Sequence, residues 1–368
     1  MYWIPTPLFP TPYSLPPLIP PEGGGLRRGA GRVHWISNVV VLVLLLGGFW
    51  LARLAARSRF WRESAVELWR RRRTAIVVVA IFVLIALLDS IAWIGGGGEG
   101  VAAYQPRSVI DRIFQPDTFK EASYSAPFAR VAFYGSQPLR HPGAHVLGTD
   151  ILGRDVVYRA LKGVRVALLI GVFTSLIVIP LALLFGVSAG YFGRRIDDGV
   201  FFVMTVLASV PSLLLLIALI TVLGKGTLQV CFALGVTSWV GFCRLARGET
   251  LKLRETDYVA AARALGVSDL RIVWRHVLPN LAHLVIITFA LTFTSLVLTE
   301  TILSYLGIGI DGSWGQMIDQ ARNELSRTPI IWWNITAASV MLFALVLAVN
   351  TIADAMRDIA DPRTRREA

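Results

Sequence analysis

Long apolar runs separated by short polar segments dominate the pattern along this chain. A membrane-spanning helix needs about 20 mainly apolar residues, and it pairs its backbone amides internally because hydrocarbon cannot satisfy them. Seven stretches fit this description, so the pattern predicts an all-α polytopic membrane protein. The predicted spans are Trp35 to Leu54, Thr74 to Ile94, Val164 to Phe185, Val200 to Val222, Leu228 to Leu245, Leu281 to Ser304 and Ile330 to Ile352.

Basic residues flank these runs in a consistent alternation, and short basic flanks stay on the cytoplasmic side. They place the connection between the first two spans, Arg194 with Arg195, the loop at 247–280 and the C-terminus inside. The segment at 95–163 falls outside despite its basic residues, because long loops translocate largely regardless of charge. The first span can alternatively lie in the interface or be an anchor added to six core spans.

The composition agrees with a bilayer protein, with 55% hydrophobic and 16% charged residues and a mean hydropathy of +0.61. The net charge of +12 also occurs in nucleic-acid-binding proteins, but here the basic residues lie beside apolar runs, so we expect a lipid bilayer and no nucleic acid as partner. Cys231 and Cys243 belong to one apolar stretch, so we expect both to be packing residues. The Pro- and Gly-rich tail at 1–34 lacks the pattern of a secretory signal.

The 247–280 loop has the pattern of a helix, a turn and a second helix. Its alanines favour the first helix and leave room for another protein's surface. Gly266 suits a left-handed helix end, and Ser268 can cap the second helix. Asp269 favours the positive end of that helix, and Pro279 limits its length. Docking to a partner and an ordinary amphipathic loop are about equally supported by these features. The residues concerned are Tyr258, Ala260, Ala261, Ala262, Gly266, Ser268, Asp269, His276, Leu278 and Pro279.

This loop resembles the EAA loop of binding-protein-dependent importer permeases. The central glycine of that motif corresponds to Gly266, and its closing His-x-Leu-Pro corresponds to residues 276–279. The resemblance implies that the short helix inserts into a groove on a separate ATPase subunit. The motif's opening glutamate is Ala260 here, so a specific ion pair at that position is not expected.

A second motif, with the order Gly148, Thr149, Asp150, Gly153, Arg154 and Asp155, is similar to a segment of the dipeptide and oligopeptide permease family. Further matches in the correct order extend the resemblance over about 69–363. It implies the transmembrane domain of a type I ABC importer, with six core helices plus one extra N-terminal span. Within this group the chain resembles the dipeptide-type C component. The implied partners are a homologous second permease, two ATPase subunits and an extracytoplasmic solute-binding protein.

The predicted organisation follows from these spans and motifs. The extra span and its basic connection occupy 35–73, and the first core helix occupies 74–94. An extracytoplasmic segment covers 95–163, the permease core with the coupling loop covers 164–353, and a cytoplasmic C-terminus covers 354–368.

Several polar residues allow more than one interpretation. Glu300 lies inside a span, where a charge is costly, and it either lines a pore or gate or packs as a hydrogen-bonded residue. Asp155 and Arg159 form an i,i+4 pair that favours structural support over contact with a binding protein. Pro180 and Pro211 interrupt apolar helices and either kink them around a pore or relieve packing.

Other patterns are better explained by structure than by chemistry. His141 and His145 are separated by Pro142 and Gly143, which argues against a shared metal on a regular helix. Gly186-Val-Ser188-Ala-Gly190 fits a hydrolase motif, but it ends a membrane helix, so packing through small residues is the favoured interpretation. Trp314, Trp332 and Trp333 lie near the outer boundary of the last span, as in an aromatic belt.

The sequence therefore predicts a permease subunit of an ATP-driven importer in a bacterial-type inner membrane. No G-x-x-x-x-G-K-[ST] occurs, so we expect ATP and Mg²⁺ only in partner ATPases and no cofactor, metal or catalytic residue in this chain. A self-contained secondary transporter or channel is the main alternative and would depend on Glu300 or Asp89; a hydrolase built on Ser188 is a weaker one. Di- or oligopeptides are the default solute, and nickel or a peptide-like antibiotic stays open.

Overall fold

The computed structural model describes residues 59–94, 106–115, 119–133 and 137–360, together with a few residues between 38 and 53. The tail at 1–34, most of the predicted first span and the basic C-terminal residues therefore lie outside the described part. The helices are α1 (Arg59–Ser90), α2 (Val109–Phe114), α3 (Val156–Phe192), α4 (Arg194–Ser209), α5 (Ser212–Leu223), α6 (Thr227–Arg254), α7 (Asp257–Ala264), α8 (Asp269–Ile272), a π-helical turn (Val273–Val277), α9 (Leu278–Asn280), α10 (Ala282–Tyr305), α11 (Trp314–Glu324) and α12 (Trp333–Ala360). The strands β1 (Ala92–Ile94) and β2 (Pro106–Ser108) pair antiparallel.

Five described helices are long and apolar enough to span a bilayer, namely α1 from Ala65 onward, α3, α6, α10 and α12 up to Ile359. Each coincides with one predicted span. Several run past the apolar stretch, because hydropathy reports the segment that lipid surrounds and not the residue at which helical hydrogen bonding ends.

The predicted span at 200–222 is wrong as a single helix. The chain forms α4 and α5, which meet at an angle of 89°. Val210 between them has an extended backbone, and Pro211 occupies the N-cap position of α5. A proline disfavours helical backbone in the preceding residue and lacks an N–H to donate, so the break falls where the ring requires it. Pro180, in contrast, lies inside a continuous α3.

The helix α3 is the central element of the bundle and is about 55 Å long at 1.5 Å per residue. It packs against α6 through small residues. A Cβ atom on Gly186 would lie 2.7 Å from the carbonyl oxygen of Cys243, and one on Gly190 would lie 2.8 Å from that of Arg247. The hydrolase-like pattern around Ser188 is thus a helix-packing surface, as predicted, and both cysteines are buried and free.

The other long helices close a core around α3. Buried side chains from α1, α3, α10, α11 and α12 form one cluster that includes Phe82, Val164, Phe293, Trp314 and Leu345. A second cluster joins α3 to α5, α6 and α10 through Ile170, Leu216, Leu234 and Leu296. These contacts fix the first half of α3 relative to the rest of the bundle.

Two of the three tryptophans predicted as a membrane belt are instead packed inside the protein. Trp314 is buried and donates its indole N–H to the carbonyl oxygen of Ala160 at 2.9 Å. Trp333 is also buried and donates to the carbonyl oxygen of Thr149 at 2.9 Å. Only Trp332 of the three is exposed. The belt prediction fails for Trp314 and Trp333 because both indoles have backbone partners on distant segments.

Candidate functional site

The two ends of α3 carry the two sequence motifs. At its first residue, α3 follows the segment 106–155, whose described residues we name the cap; we name this end of the bundle the cap end. Of the predicted loop at 247–280, residues 247–254 are the end of α6. We name the remaining residues, 255–280, the coupling loop; α3 contacts it at its last turn, and we name this the loop end. The residues of the two motifs therefore form two separate groups at the ends of one helix, whereas Glu300 lies in α10 and Pro211 lies at the start of α5.

The coupling loop is a helix, a turn and a second helix, as predicted. The helix α7 has eight residues, and Gly266 follows it with a φ of 77°, in the left-handed region that glycine enters without a Cβ penalty. Asp269 begins α8 as expected, whereas Ser268 sits at the N-cap position without a side-chain hydrogen bond to the helix.

Pro279 does not end the second helix, contrary to the sequence prediction. The chain continues from α8 through the π-helical turn and α9 almost directly into α10. The π-helical turn at Val273–Val277 precedes Pro279, where the ring of a proline would clash with the carbonyl four residues back. Widening that turn is a way to accommodate the ring, so the loop is joined to a membrane helix without a break.

The two faces of the coupling loop differ sharply. Val259, Ile272 and Val277 are buried and pack with Val187 and Tyr191 at the end of α3. On the other side, large apolar side chains face outward in the isolated chain. These are Leu265, Leu270 and Trp274, with exposed fractions of 83%, 66% and 72%, and the partly exposed Tyr258.

Tyr191 connects α3 to the coupling loop. Its hydroxyl donates to a carboxylate oxygen of Asp269 at 2.7 Å and accepts from Arg263 at 3.4 Å. The guanidinium of Arg263 also lies 5.7 Å from the centre of the Tyr191 ring. Asp269 and Arg263 belong to the two different helices of the loop, so one tyrosine holds both.

At the loop end, a further pair joins α4 to α6. Arg247 donates two hydrogen bonds to the carboxylate of Asp197, at 2.6 and 2.7 Å. A bidentate arginine–carboxylate contact fixes the relative orientation of its two helices better than a single bond.

The cap motif is built around Asp150, which is completely buried. One carboxylate oxygen accepts from the backbone N–H groups of Leu152 and Arg154, at 2.8 and 2.9 Å. The other accepts from the Arg154 side chain at 2.8 Å and from Arg159 at 3.0 Å. Gly148 and Gly153 have positive φ and lie against backbone carbonyls of Ser125 and Glu121, so the turn around Asp150 requires them.

The predicted pair between the side chains of Asp155 and Arg159 is wrong. Asp155 caps α3 by accepting from the Tyr158 N–H at 2.9 Å. Its other oxygen lies 2.8 Å from Nδ1 of His145. Arg159 turns to Asp150 instead, because an N-cap carboxylate points along the helix axis toward the free N–H groups and away from the residue one turn later.

A second buried ionic cluster joins the cap to the bundle. Asp89 at the end of α1 accepts from Lys162 at 2.7 Å and from the Ser108 hydroxyl at 2.8 Å. Lys162 also lies 2.8 Å from Asp111. Asp89 is thus committed to a structural contact among three elements.

Glu300 is buried in α10 and bonded to its own helix. It accepts from the Ser304 hydroxyl at 2.5 Å, and the Ser304 oxygen accepts from the Ile310 N–H at 3.0 Å. This geometry has the form of a packing residue that fixes the turn after α10. Within the described residues, no three His, Cys, Asp or Glu side chains are grouped to hold a metal ion.

Comparison with known proteins now decides the family. Residues 182–366 match the family described as "Binding-protein-dependent transport system inner membrane component". The glutathione transport system permease protein GsiD of Pectobacterium atrosepticum is 31% identical over 313 residues, covering 84% of this chain and 94% of that protein. This chain belongs to that family.

Other relatives of this permease agree. The dipeptide transport system permease protein DppC of Bacillus subtilis is 35% identical over 225 residues, 60% of this chain and 70% of that protein. A putative peptide transport system permease protein of Brucella suis is 34% identical over 311 residues, covering 83% and 92%. The solved MetNI methionine ABC transporter overlaps with a TM-score of 0.45 at 19% identity, over 56% of this chain and 96% of that chain. The family match and the relatives confirm the resemblance to importer permeases, and the five described spanning helices agree with the predicted polytopic fold.

Sequence reasoning missed several residues that organise the two ends of the permease. Tyr191, Lys162 and Gln320 make cross-element contacts that no local motif marks; Arg159, for example, donates to Gln320, 161 positions away, at 2.6 Å. The available signal was the rarity of charge near the apolar runs, which singles out Asp89 and Lys162 as residues that need a partner.

Proposed function

We propose that this permease forms half of the translocation pore of an ATP-driven importer for peptides or similar small solutes. A homologous second permease completes the pore, two ATPase subunits drive it, and a binding protein delivers the solute at the cap end. The chain itself is a non-catalytic subunit with no cofactor. The loop end lies in the cytoplasm and the cap end outside, a sidedness supported by Arg194, Arg195, Arg244 and Lys252 at the loop end.

The exposed apolar face of the coupling loop carries this proposal. Leu265, Leu270 and Trp274 are among the most exposed large apolar side chains, yet the loop lies beyond the end of a membrane span. Such a face marks an interaction site, and a short helix with exposed apolar residues suits insertion into a groove. The opposite face packs on α3, so a push on the loop is passed to the longest helix of the bundle.

No observation favours a self-contained secondary transporter. Asp89 is paired with Lys162 and Glu300 is bonded to Ser304, so neither carboxylate is held ready for a coupling ion. The peptide assignment comes from the names of the relatives, several of which are peptide permeases. Glutathione, which is itself a peptide, is named for another.

Co-purification tests the coupling proposal. The full chain is co-expressed with candidate ABC ATPase subunits from the same genome. The double variant Leu265→Glu, Trp274→Glu should abolish ATPase capture and ATP-driven uptake. Leu152→Glu, an exposed apolar residue of the cap, serves as the matched control and should leave ATPase capture unchanged. Capture that survives the two loop substitutions would refute docking at this face, and uptake by the chain alone along an ion gradient would favour a secondary transporter.

Cysteine labelling tests the sidedness. Cys231 and Cys243 are buried, so a membrane-impermeant maleimide should react little with the unmodified chain in intact cells. Arg130→Cys in the cap should become labelled from outside, and Leu265→Cys should become labelled only after the membrane is opened. The reverse pattern would invert the proposed orientation.

A further inference from the structure

A cavity of 540 Å³ opens at the cap end, beside the first turns of α3. One wall consists of α3 positions 158, 159, 162, 165, 166 and 169, which share one face of the helix at spacings of three and four residues. The opposite wall includes Thr227 at the start of α6 and residues 310–312 after α10. Its volume lies in the range that small-molecule sites occupy, about 300–1,000 Å³.

The cavity is lined by four cationic and two anionic side chains. Lys162 is fully engaged, since Asp89 and Asp111 lie at 2.7 and 2.8 Å from its ammonium group. The lining charges are Arg154, Arg159, Lys162, Arg165, Asp89 and Asp311. The two arginines nearest the centre of this wall, Arg159 and Arg165, differ from Lys162 because their donors are only partly used.

Arg159 holds an unused donor in a buried position. Its side chain is 5% exposed, and one terminal nitrogen, Nη1, donates to Asp150 at 3.0 Å and to Gln320 at 2.6 Å. The other, Nη2, is buried and has no hydrogen-bond partner among the residues that the structure describes. A buried N–H without a partner is costly, so a ligand oxygen at this position would be stabilised.

Arg165, one turn and a half further along α3, is the more accessible of the two. It is 39% exposed and lies 3.7 Å from a carboxylate oxygen of Asp89 and 3.5 Å from the Asp89 carbonyl oxygen. Both distances exceed the 2.7–2.9 Å of a good charge-assisted hydrogen bond. The Asp89 oxygen nearest Arg165 is Oδ2, whereas Oδ1 accepts from Lys162, so Arg165 is only loosely held by this carboxylate.

We propose that this cavity binds a free carboxylate, and that in the importer it is the terminal carboxylate of a short peptide. Guanidinium groups match the two oxygens of a carboxylate. Arg165 supplies the accessible contact, and the buried Arg159 adds positive charge behind it. The peptide as the source of the carboxylate rests on the proposed function. The phosphate of an anionic lipid is also an anion that arginine binds. The test distinguishes this lipid from the peptide because it uses zwitterionic lipid.

Arginine modification tests this site on the purified full chain without any transport step. The chain is placed in nanodiscs of zwitterionic lipid, treated with phenylglyoxal, and each arginine is followed by mass spectrometry with trialanine or trialanine amide present. Trialanine should slow the modification of Arg165 several-fold, and the amide, which lacks the carboxylate, should not. Arg130, an exposed cap residue that does not line the cavity, should react equally under all conditions.

Two variants separate binding from folding. Trialanine should raise the melting temperature of the unmodified chain and of Arg130→Gln, and Arg165→Gln should remove the increase while melting normally without peptide. Equal protection by acid and amide, or none by either, would overturn the carboxylate site, and protection that appears only with anionic lipid would assign it to a lipid phosphate. Because no ATPase takes part, failure of the coupling proposal would leave this result unchanged. Failure of the carboxylate site would likewise leave the ATPase-capture result unchanged.

Discussion

The cap end and the loop end of α3 differ in which side chains they bury and which they expose. At the cap end, Asp150 and Asp89 are buried and Lys162 is partly buried, and each has charged or hydrogen-bonding partners within the same chain. At the loop end, Leu265, Leu270 and Trp274 are apolar and exposed. A buried ionic network is stable only when it is complete, whereas an exposed apolar face is stabilised by a partner. The comparison indicates that the ionic network of the cap end is closed within the chain except at one donor of Arg159, whereas the loop end is built for another subunit.

Asp150→Asn should give the largest effect, because it removes the charge that balances Arg154 and Arg159. Asparagine can still accept from the Leu152 and Arg154 N–H groups, but Arg159 stays buried without its carboxylate. Breaking one partner of a buried pair typically costs about 3–5 kcal/mol. Detergent titration of the purified chain would measure this loss in the free energy of unfolding.

The matched control for Asp150→Asn is Asp311→Asn. Asp311 is exposed, and among the described residues its side chain accepts a single hydrogen bond, from Gln316 at 3.1 Å. Its substitution should change the free energy of unfolding by less than about 1 kcal/mol. Equal losses for the two variants would mean that the cap end is not the internally closed region described above.

Gly186→Ala should give the next largest loss. The added Cβ would lie 2.7 Å from the carbonyl oxygen of Cys243, and forcing α3 away from α6 should cost about 1–3 kcal/mol. Gly241→Ala on α6 has no atom within 4 Å of the new Cβ, so it should be neutral or stabilising by up to about 1 kcal/mol. The same detergent titration distinguishes the two, and similar losses for both would contradict close packing at Gly186.

Local patterns predicted the elements that depend on neighbouring residues. The apolar runs predicted the five described spans because lipid contact requires a continuous apolar surface. Gly266 predicted the turn of the coupling loop because glycine readily adopts the positive φ found there. The break at Pro211 was visible as a proline, but the pattern could not say whether the helix would kink or stop. The bend of 89° depends on how α4 and α5 pack, which local sequence does not determine.

The contacts of the cap end could not be predicted, because their partners are far apart in sequence. Trp333 reaches the Thr149 carbonyl across 184 positions, and Lys162 reaches Asp89 across 73. The i,i+4 rule led to the wrong partner for Arg159, since it considers only the helix surface. A capping interaction and a buried loop carboxylate outcompeted it.

Tyr191→Phe should have a smaller effect and should confine it to the loop end. The ring and its packing are kept, and only the hydroxyl that donates to Asp269 is lost, which costs about 1 kcal/mol. Hydrogen exchange should increase at 269–277 and stay unchanged in the cap. Tyr258→Phe is the control in the same loop, because the Tyr258 hydroxyl accepts only a long bond of 3.3 Å from Asn280. An equal increase in both variants would remove the special role of Tyr191 in joining α3 to the loop.

Acidification should give the smallest effect and should act on the cap. Burial alone would raise the pKa of Asp111, but hydrogen bonds from Lys162, the Ser108 N–H and Tyr158 outweigh it, so the pKa lies below its ordinary value. The stability contributed by a carboxyl group with a lowered pKa is complete above its unfolded pKa of about 4 and is lost as the pH falls through the folded value. The melting temperature should therefore be flat near neutral pH and fall below about pH 4, and Asp111→Asn should reduce the size of that fall.

The pKa of Glu121 is lowered as well, because hydrogen bonds from the N–H groups of Arg140, His141 and Ala122 outweigh its desolvation. Part of the fall in melting temperature should therefore persist in Asp111→Asn. A fall of the same size with and without Asp111 would show that this carboxylate does not help to close the cap end.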